Sequence, residues 1–144
     1  METTIGLGGL VVVSLLLLKA AMTATTAQRW TIIQGMTDAY MTRETATSKR
    51  VPFDEIVEVD SRWPIYPEID TETVEIGKLP GGLSVVGVVR RTRIPDDSNL
   101  ASAGGGGSTE TNPSKMEVWA LQSLLSYELS GRTYVKSRTV VRSR

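Results

Sequence analysis

Residues 3–27 read TTIGLGGLVVVSLLLLKAAMTATTA, and Lys19 is the only charged side chain among them. The sixteen residues before Lys19, as a helix rising about 1.5 Å per residue, extend roughly 24 Å into a hydrocarbon layer about 30 Å thick. With residues 20–27 included, and with the Lys19 amine reaching the interface or a partner, the run is long enough to span a membrane. We therefore expect residues 3–27 to form an anchoring helix in a membrane or in the core of a filament.

The helical pattern continues beyond this run. Residues 28–49 read QRWTIIQGMTDAYMTRETATSK, with no proline and one glycine. Apolar side chains recur in this segment at the spacing of an amphipathic helix: Trp30, Ile33, Met36, Tyr40 and Met41. Pro52 is the first helix breaker, and it disfavours helical geometry at Val51. The sequence predicts one helix over residues 1–50, apolar in 3–27 and amphipathic in 28–50, on the order of 70 Å long.

Residues 51–144 predict a small β-rich head with a single core. A connector with three prolines reaches residue 67, and segments rich in β-branched or alternating apolar residues predict strands at 73–76, 83–94, 116–129 and 133–142. Pro80 and Gly81 mark one turn, and Ser130 and Gly131 mark a hairpin. The expected fold class is α+β, with a long N-terminal helix and a small antiparallel β-sheet packed on its amphipathic half.

Residues 95–115, PDDSNLASAGGGGSTETNPSK, contain four consecutive glycines and no apolar periodicity. A phosphate-binding loop ends in Gly-Lys-Ser/Thr and leads into a helix, and this segment does neither. It is expected to be a flexible, Gly-rich surface loop within the head.

The start of the chain, Met1-Glu2-Thr3-Thr4-Ile5, places a glutamate just before the apolar run. Together with the half-apolar, half-amphipathic helix and the small β-rich head, it resembles the type IV pilin and pseudopilin superfamily. The resemblance implies that Glu2 is the glutamate that this family has near its mature N-terminus. It also implies a basic leader, removed by a prepilin peptidase, and an N-methylated first residue upstream of Met1.

This resemblance, with the helix pattern, predicts which residues serve assembly. Glu2 is expected to pair with the N-terminal amine of an adjacent subunit, since a carboxylate beside an apolar run is costly to bury unpaired. The small residues Gly6, Gly8 and Gly9 would let neighbouring helices approach closely or let the helix extend by local melting. The predicted assembly residues are therefore Glu2, Gly6, Gly8, Gly9, Lys19, Trp30 and Tyr40.

Charge is segregated along the head although the formal net charge of the chain is zero. Residues 54–75 hold eight acids and only one base, Arg62, whereas residues 130–144 hold five bases and no acid. These segments are either two solvated faces or surfaces that meet, within one head or between copies. The predicted inter-subunit contact pairs Arg138 and Arg142 with Glu68, Asp70 or Glu72.

Composition excludes several function classes. The chain has no cysteine and no histidine, which excludes disulfides, zinc sites built on these residues, and Cys–His or Ser–His nucleophiles. The acids of the head match no catalytic or Ca²⁺-binding spacing. We expect no enzyme activity, no metal and no cofactor. Nucleic acid is not an expected partner, because Tyr134 is the only aromatic residue among the C-terminal bases.

The expected function is that of a structural subunit of an extracellular type IV pilus-like filament, polymerising through its apolar helix. Its partners would be further copies, the inner membrane before assembly, and the pilus or secretion assembly machinery. The alternative is a single-pass membrane accessory subunit whose small head binds a partner. The bases Lys19, Arg29 and Arg43 follow the apolar run, which for an ordinary span would place the head in the cytoplasm. A secretory signal peptide is a third interpretation, disfavoured by the missing basic n-region and by the continuing helix.

Overall fold

One long helix and one four-stranded sheet make up the fold. The computed structural model describes the backbone of residues 2–144 and the side chains of residues 8–144. Helix α1 runs Glu2–Arg50, a short helix α2 runs Phe53–Val57, and the strands are β1 (Asp70–Lys78), β2 (Ser84–Pro95), β3 (Val118–Leu129) and β4 (Arg132–Ser143). The sheet has the order β1-β2-β3-β4, and every neighbouring pair is antiparallel. The predicted α+β class, with the sheet packed against the long helix, is confirmed.

The chain divides after Gly35 into two compact units, and the second comprises Met36–Arg144. Residues 36–50 of α1 thus belong to the same unit as the sheet. Within this unit, helix side chains at three- and four-residue spacing are buried, namely Thr37, Met41, Glu44 and Ser48. The buried stripe therefore continues beyond Met41 with polar side chains, and one of them, Glu44, pairs with Arg91 of the sheet.

The strands alternate between the helix side of the sheet and solvent. On β2 and β3 the buried positions include Val85, Val89, Leu121 and Leu125, as expected for strands with one covered face. Strand β2 ends at Pro95, one residue beyond its predicted end, and β3 ends at Leu129 as predicted. Ser130 and its neighbour Gly131 both adopt positive φ in the hairpin that follows. Strand β1 begins at Asp70, three residues before the predicted start, because Asp70 pairs with Arg91 across the ladder.

Part of the connector with three prolines forms helix α2. Pro52 precedes the helix, and Asp54 and Glu55 lie in its first turn, where a preset φ and negative charge both favour a helix start. Ile56 of α2 packs into a buried cluster with Trp63, Trp119 and Leu121. The connector therefore contributes core residues as well as linking α1 to β1.

Hydrogen bonds tie the Gly-rich loop to the sheet. The Asn99 side chain is fully buried, donates to the Val118 carbonyl at 2.9 Å and accepts from the Val118 amide at 2.8 Å. Asn112 forms similar bonds with the backbone of Met116. A Cβ atom at Gly107 would overlap the Ser98 carbonyl oxygen, so the close turns of this loop need glycine.

Candidate functional site

The apolar part of α1 presents large hydrophobic side chains on all sides. From Leu10 to Leu18 the valine and leucine side chains are between 55% and 69% exposed. A contiguous apolar surface of this kind marks a site that lipid or protein covers. By length and composition, α1 is the one helix of the described residues able to cross a membrane.

Among residues 8–27, the hydroxyl side chains are satisfied within the helix. The hydroxyls of Ser14, Thr23, Thr25 and Thr26 donate to the carbonyl four residues earlier, at 2.9–3.0 Å. Such bonds let serine and threonine enter an apolar medium without an unsatisfied donor. From residue 8 to residue 27 the segment is thus suited to hydrocarbon, Lys19 excepted.

The predicted assembly residues lie along α1. Glu2 and Gly6 fall outside the residues whose side chains the structure describes. A Cβ atom at Gly8 or Gly9 would have nothing within 4 Å, so within this chain neither glycine is needed for packing. Lys19 is exposed, and Trp30 is 48% exposed.

Tyr40 is half-buried and lies in the wall of a groove of about 360 Å³. The groove is polar, with Arg43, Glu44, Arg62 and Glu72 among its lining side chains. Within the Met36–Arg144 unit, Tyr40 therefore lies next to a set of charged groups that joins the helix to the sheet.

Arg91 is the centre of that set. Its side chain is 0% exposed, and its Nε atom donates to Oε1 of Glu44 at 2.5 Å. Its Nη1 atom donates to Glu72 at 2.8 Å and to Asp70 at 3.1 Å. Arg62 lies 3.7 Å from Glu44 and 3.5 Å from Glu72 at the solvent edge. We call Glu44, Arg62, Asp70, Glu72 and Arg91 the acidic-edge cluster, because three carboxylates face two guanidinium groups.

This cluster shifts the ionisation of its members. Burial lowers the pKa of Arg91, but the hydrogen bonds that Arg91 donates to Glu44 and Glu72 outweigh burial and raise this pKa above its ordinary value. The hydrogen bond from Arg91 lowers the pKa of Glu72 below its ordinary value of 4.5. Each charged form is therefore stabilised by the other, which holds β1, β2 and α1 together.

The bases of β4 also face the helix. Lys136 Nζ lies 2.8 Å from Asp38 Oδ1, and Arg138 lies 3.9 Å from the same oxygen. Arg142 donates to the carbonyls of Ser48 and Val51 at 2.7 and 3.0 Å. Its guanidinium thus satisfies acceptors at the C-terminal end of α1, where positive charge is favourable.

Within one chain the structure does not bring Arg138 and Arg142 to the predicted acids. Asp70 and Glu72 lie on β1, the bases lie on β4, and these strands are the two opposite edges of the sheet. Glu68 is exposed just before β1. The predicted pairing between copies stays a prediction, and its acids and bases lie on the two opposite edge strands of the sheet.

Arg91, Glu44 and Arg93 are not among the residues that the sequence predicted for a site. Arg91 and Arg93 have the parity of the buried Val85 and Val89 in strand β2, which was the available signal that they point inward. The Arg93 guanidinium donates to the carbonyls of Val57 and Trp63 at 3.0 and 3.1 Å and lies 5.2 Å from the Trp119 ring centre. Burial lowers the pKa of Arg93. Its part is to hold the connector on the sheet.

Comparisons of this chain with protein-family models, with curated proteins and with solved structures found no match.

Proposed function

We propose that this chain is a structural subunit of an extracellular type IV pilus-like filament, held in the inner membrane before assembly and polymerising through its apolar helix. The observation that carries the proposal is the exposed apolar surface of α1, since no described part of the chain covers residues 10–18. Lipid can cover this surface in a membrane, and the same segment of other copies can cover it in a bundle. The same segment can therefore anchor the protein in the membrane before assembly and hold copies together in the filament.

The glycines of α1 favour packing between copies over a solitary span. Gly8 and Gly9 have open space around them, and each weakens the helix by about 1 kcal/mol relative to alanine. Close approach of a neighbouring helix offsets that cost, because small residues let backbones come together. The helical hydroxyls are already satisfied, so the association needs no interhelical hydrogen bond from them.

The assembly role is tested with Glu2→Leu in the full chain. If Glu2 pairs with the N-terminal amine of a neighbour, its loss leaves the protein in the membrane but lowers filament yield by about tenfold, equivalent to about 1.4 kcal/mol per subunit contact. Filaments sheared from cells are counted by electron microscopy, and the membrane fraction is measured by immunoblot. Glu110→Leu, at an exposed loop acid, is the matched control. Normal filament yield from Glu2→Leu would refute this role.

The alternative function is a single-pass accessory subunit. The bases Lys19 and Arg29 directly after the apolar run favour it, since bases flanking a span orient it in a membrane. If this alternative holds, all of the protein is found in the membrane fraction and the sheared fraction contains no filament. The natural chain and Glu2→Leu then give the same result.

A further inference from the structure

The sheet of the head ends in two strands of opposite charge. In the strand pairing of the described residues, β1 pairs with β2 alone and β4 pairs with β3 alone. The outer edge of each therefore has no strand partner, and such an edge is a template for a strand of another chain. Strand β1 carries the acids Asp70, Glu72 and Glu75 and one base, Lys78, whereas β4 carries four bases and no acid.

Ion pairs within the head leave both edges unbalanced. In the acidic-edge cluster, three carboxylates face two guanidinium groups, which leaves one negative charge at the β1 edge. At the other edge the two bases Lys136 and Arg138 face the one acid Asp38. Like charges oppose pairing of β1 with β1 or of β4 with β4, while opposite charges favour pairing of β4 with β1.

The strand directions permit β4 of one copy to pair with β1 of another copy that has the same orientation. Three antiparallel steps separate β1 from β4, so these strands run in opposite directions. A second copy in the same orientation thus presents its β1 antiparallel to β4, with the helix sides of both sheets on one side. Because the contact joins two different edges, it repeats from copy to copy and does not close.

Charge also selects the register. On the helix side of β1 the acids Asp70 and Glu72 are two residues apart, so their partners on β4 must be bases two residues apart on the same side. Within β4 (Arg132–Ser143) only Lys136 and Arg138 meet this condition. Asp70 then lies opposite Arg138 and Glu72 opposite Lys136, and the same register places Val74 opposite Tyr134.

We propose that β4 of one copy adds to β1 of the next in this register, so that neighbouring heads share a continuous antiparallel sheet. This contact rests on the proposed function, because it is the filament that brings copies of the head side by side. Its partner is a second copy of this chain. Backbone hydrogen bonds supply the attraction, and the two charge pairs supply direction and register.

Cysteine cross-linking in the full chain tests the contact, since the natural sequence contains no cysteine. In the proposed register Thr73 of one copy lies opposite Val135 of the next, on the sheet face away from the ion pairs. Side chains directly opposite have Cβ atoms about 4.5–5.5 Å apart, close to disulfide distance, whereas diagonal neighbours are about 7–8 Å apart. The variant carrying Thr73→Cys and Val135→Cys is oxidised in membranes and in sheared filaments and then run on a non-reducing gel.

The expected result is a ladder of dimers, trimers and larger species from the double variant, and monomers from each single variant. The offset pair Thr71→Cys with Val135→Cys should link about fivefold more slowly, given its longer diagonal distance. Raising salt from about 0.1 M to about 1 M shortens the Debye length from about 10 Å to about 3 Å, so linking should slow about threefold. If the first pair lowers expression, Glu75→Cys with Thr133→Cys probes the same register.

Dimers from Val135→Cys or Thr73→Cys alone would show pairing of like edges and overturn the proposal. An offset pair that links as fast as the aligned pair would do the same. Filaments seen by electron microscopy without a ladder would refute the edge contact and leave the filament function standing. A ladder in membranes of cells that make no filament would support the edge contact and count against the filament.

Discussion

Replacing Arg91 by methionine tests whether the acidic-edge cluster holds the helix on the sheet. The Arg91 side chain is 0% exposed and its main partner Glu44 is 5% exposed, so the substitution leaves a carboxylate buried without its closest base. Removing one partner of a buried ion pair costs about 3–5 kcal/mol. Arg62 remains 3.7 Å from Glu44, and Asp70 and Glu72 can turn to water. We therefore expect a loss of about 3 kcal/mol in the free energy of unfolding, at the lower end of that range.

The matching double variant separates an unpaired charge from lost packing. Glu44→Leu with Arg91→Met removes both charges and keeps apolar volume, which is often neutral or stabilising for a buried pair. We expect its free energy of unfolding to lie within about 1 kcal/mol of that of the natural chain.

The assay is thermal unfolding of the full chain in mild detergent, followed by tryptophan fluorescence in a Trp30→Phe background, so that the buried Trp63 and Trp119 report on the head. For a unit of this size a loss of 3 kcal/mol lowers Tm by roughly 12–24 °C. A loss below about 1 kcal/mol for Arg91→Met, or a double variant as unstable as the single one, would refute the reasoning.

Two further predictions concern the loop and the pH dependence of the head. Gly107→Ala should lower the free energy of unfolding by about 1–3 kcal/mol in the same assay, because its methyl group overlaps the Ser98 carbonyl. Gly106→Ala is the control and should be near neutral, since its Cβ would lie 3.8 Å from the nearest atom. Equal losses from the two variants would contradict this account. The Arg91 hydrogen bond lowers the pKa of Glu72 below 4.5, so the stability that Glu72 contributes is complete above about pH 4.5 and is lost as pH falls through the lower folded-state pKa. Glu72→Gln should thus be less stable than the natural chain at pH 6, by at most about 1 kcal/mol for so exposed a carboxylate, and no less stable at strongly acidic pH; a difference that persists in acid would rule out this linkage.

Local sequence patterns predicted the elements of this fold because each has a local cause. The run without proline before Pro52 predicted the extent of α1, and β-branched residues before Pro95 predicted β2. The ladder between β3 and β4 followed from the turn at Ser130 and Gly131. Helix α2 was missed because five residues give too short a pattern for periodicity to indicate a helix.

The acidic-edge cluster was not predicted because its cause is not local. Glu44 and Arg91 are 47 residues apart in the chain, and no pattern within either segment indicates the other. Charge counts indicated an acidic segment and a basic one, and so suggested that these two would meet. Arg91 lies outside both segments, yet its inward position in an apolar strand brings it, and not the basic segment, to the acids Asp70 and Glu72. For Arg91, the inward position in an apolar strand was therefore a better indicator of an ion pair than the charge balance of whole segments, whereas Arg93, also inward, binds backbone carbonyls.

The two surfaces proposed for assembly differ in what they can determine. Contacts of the apolar segment of α1 gain free energy in proportion to buried area, and they favour no particular register because apolar contact is not directional. Pairing of β4 with β1 does fix register, since a slip of one residue moves every side chain to the other face of the sheet. Salt weakens the charge pairs of the edges and leaves apolar burial intact. High salt should therefore reduce the alignment of neighbouring heads, measured by the ratio of aligned to offset cross-links, before it reduces the association of copies through their helices.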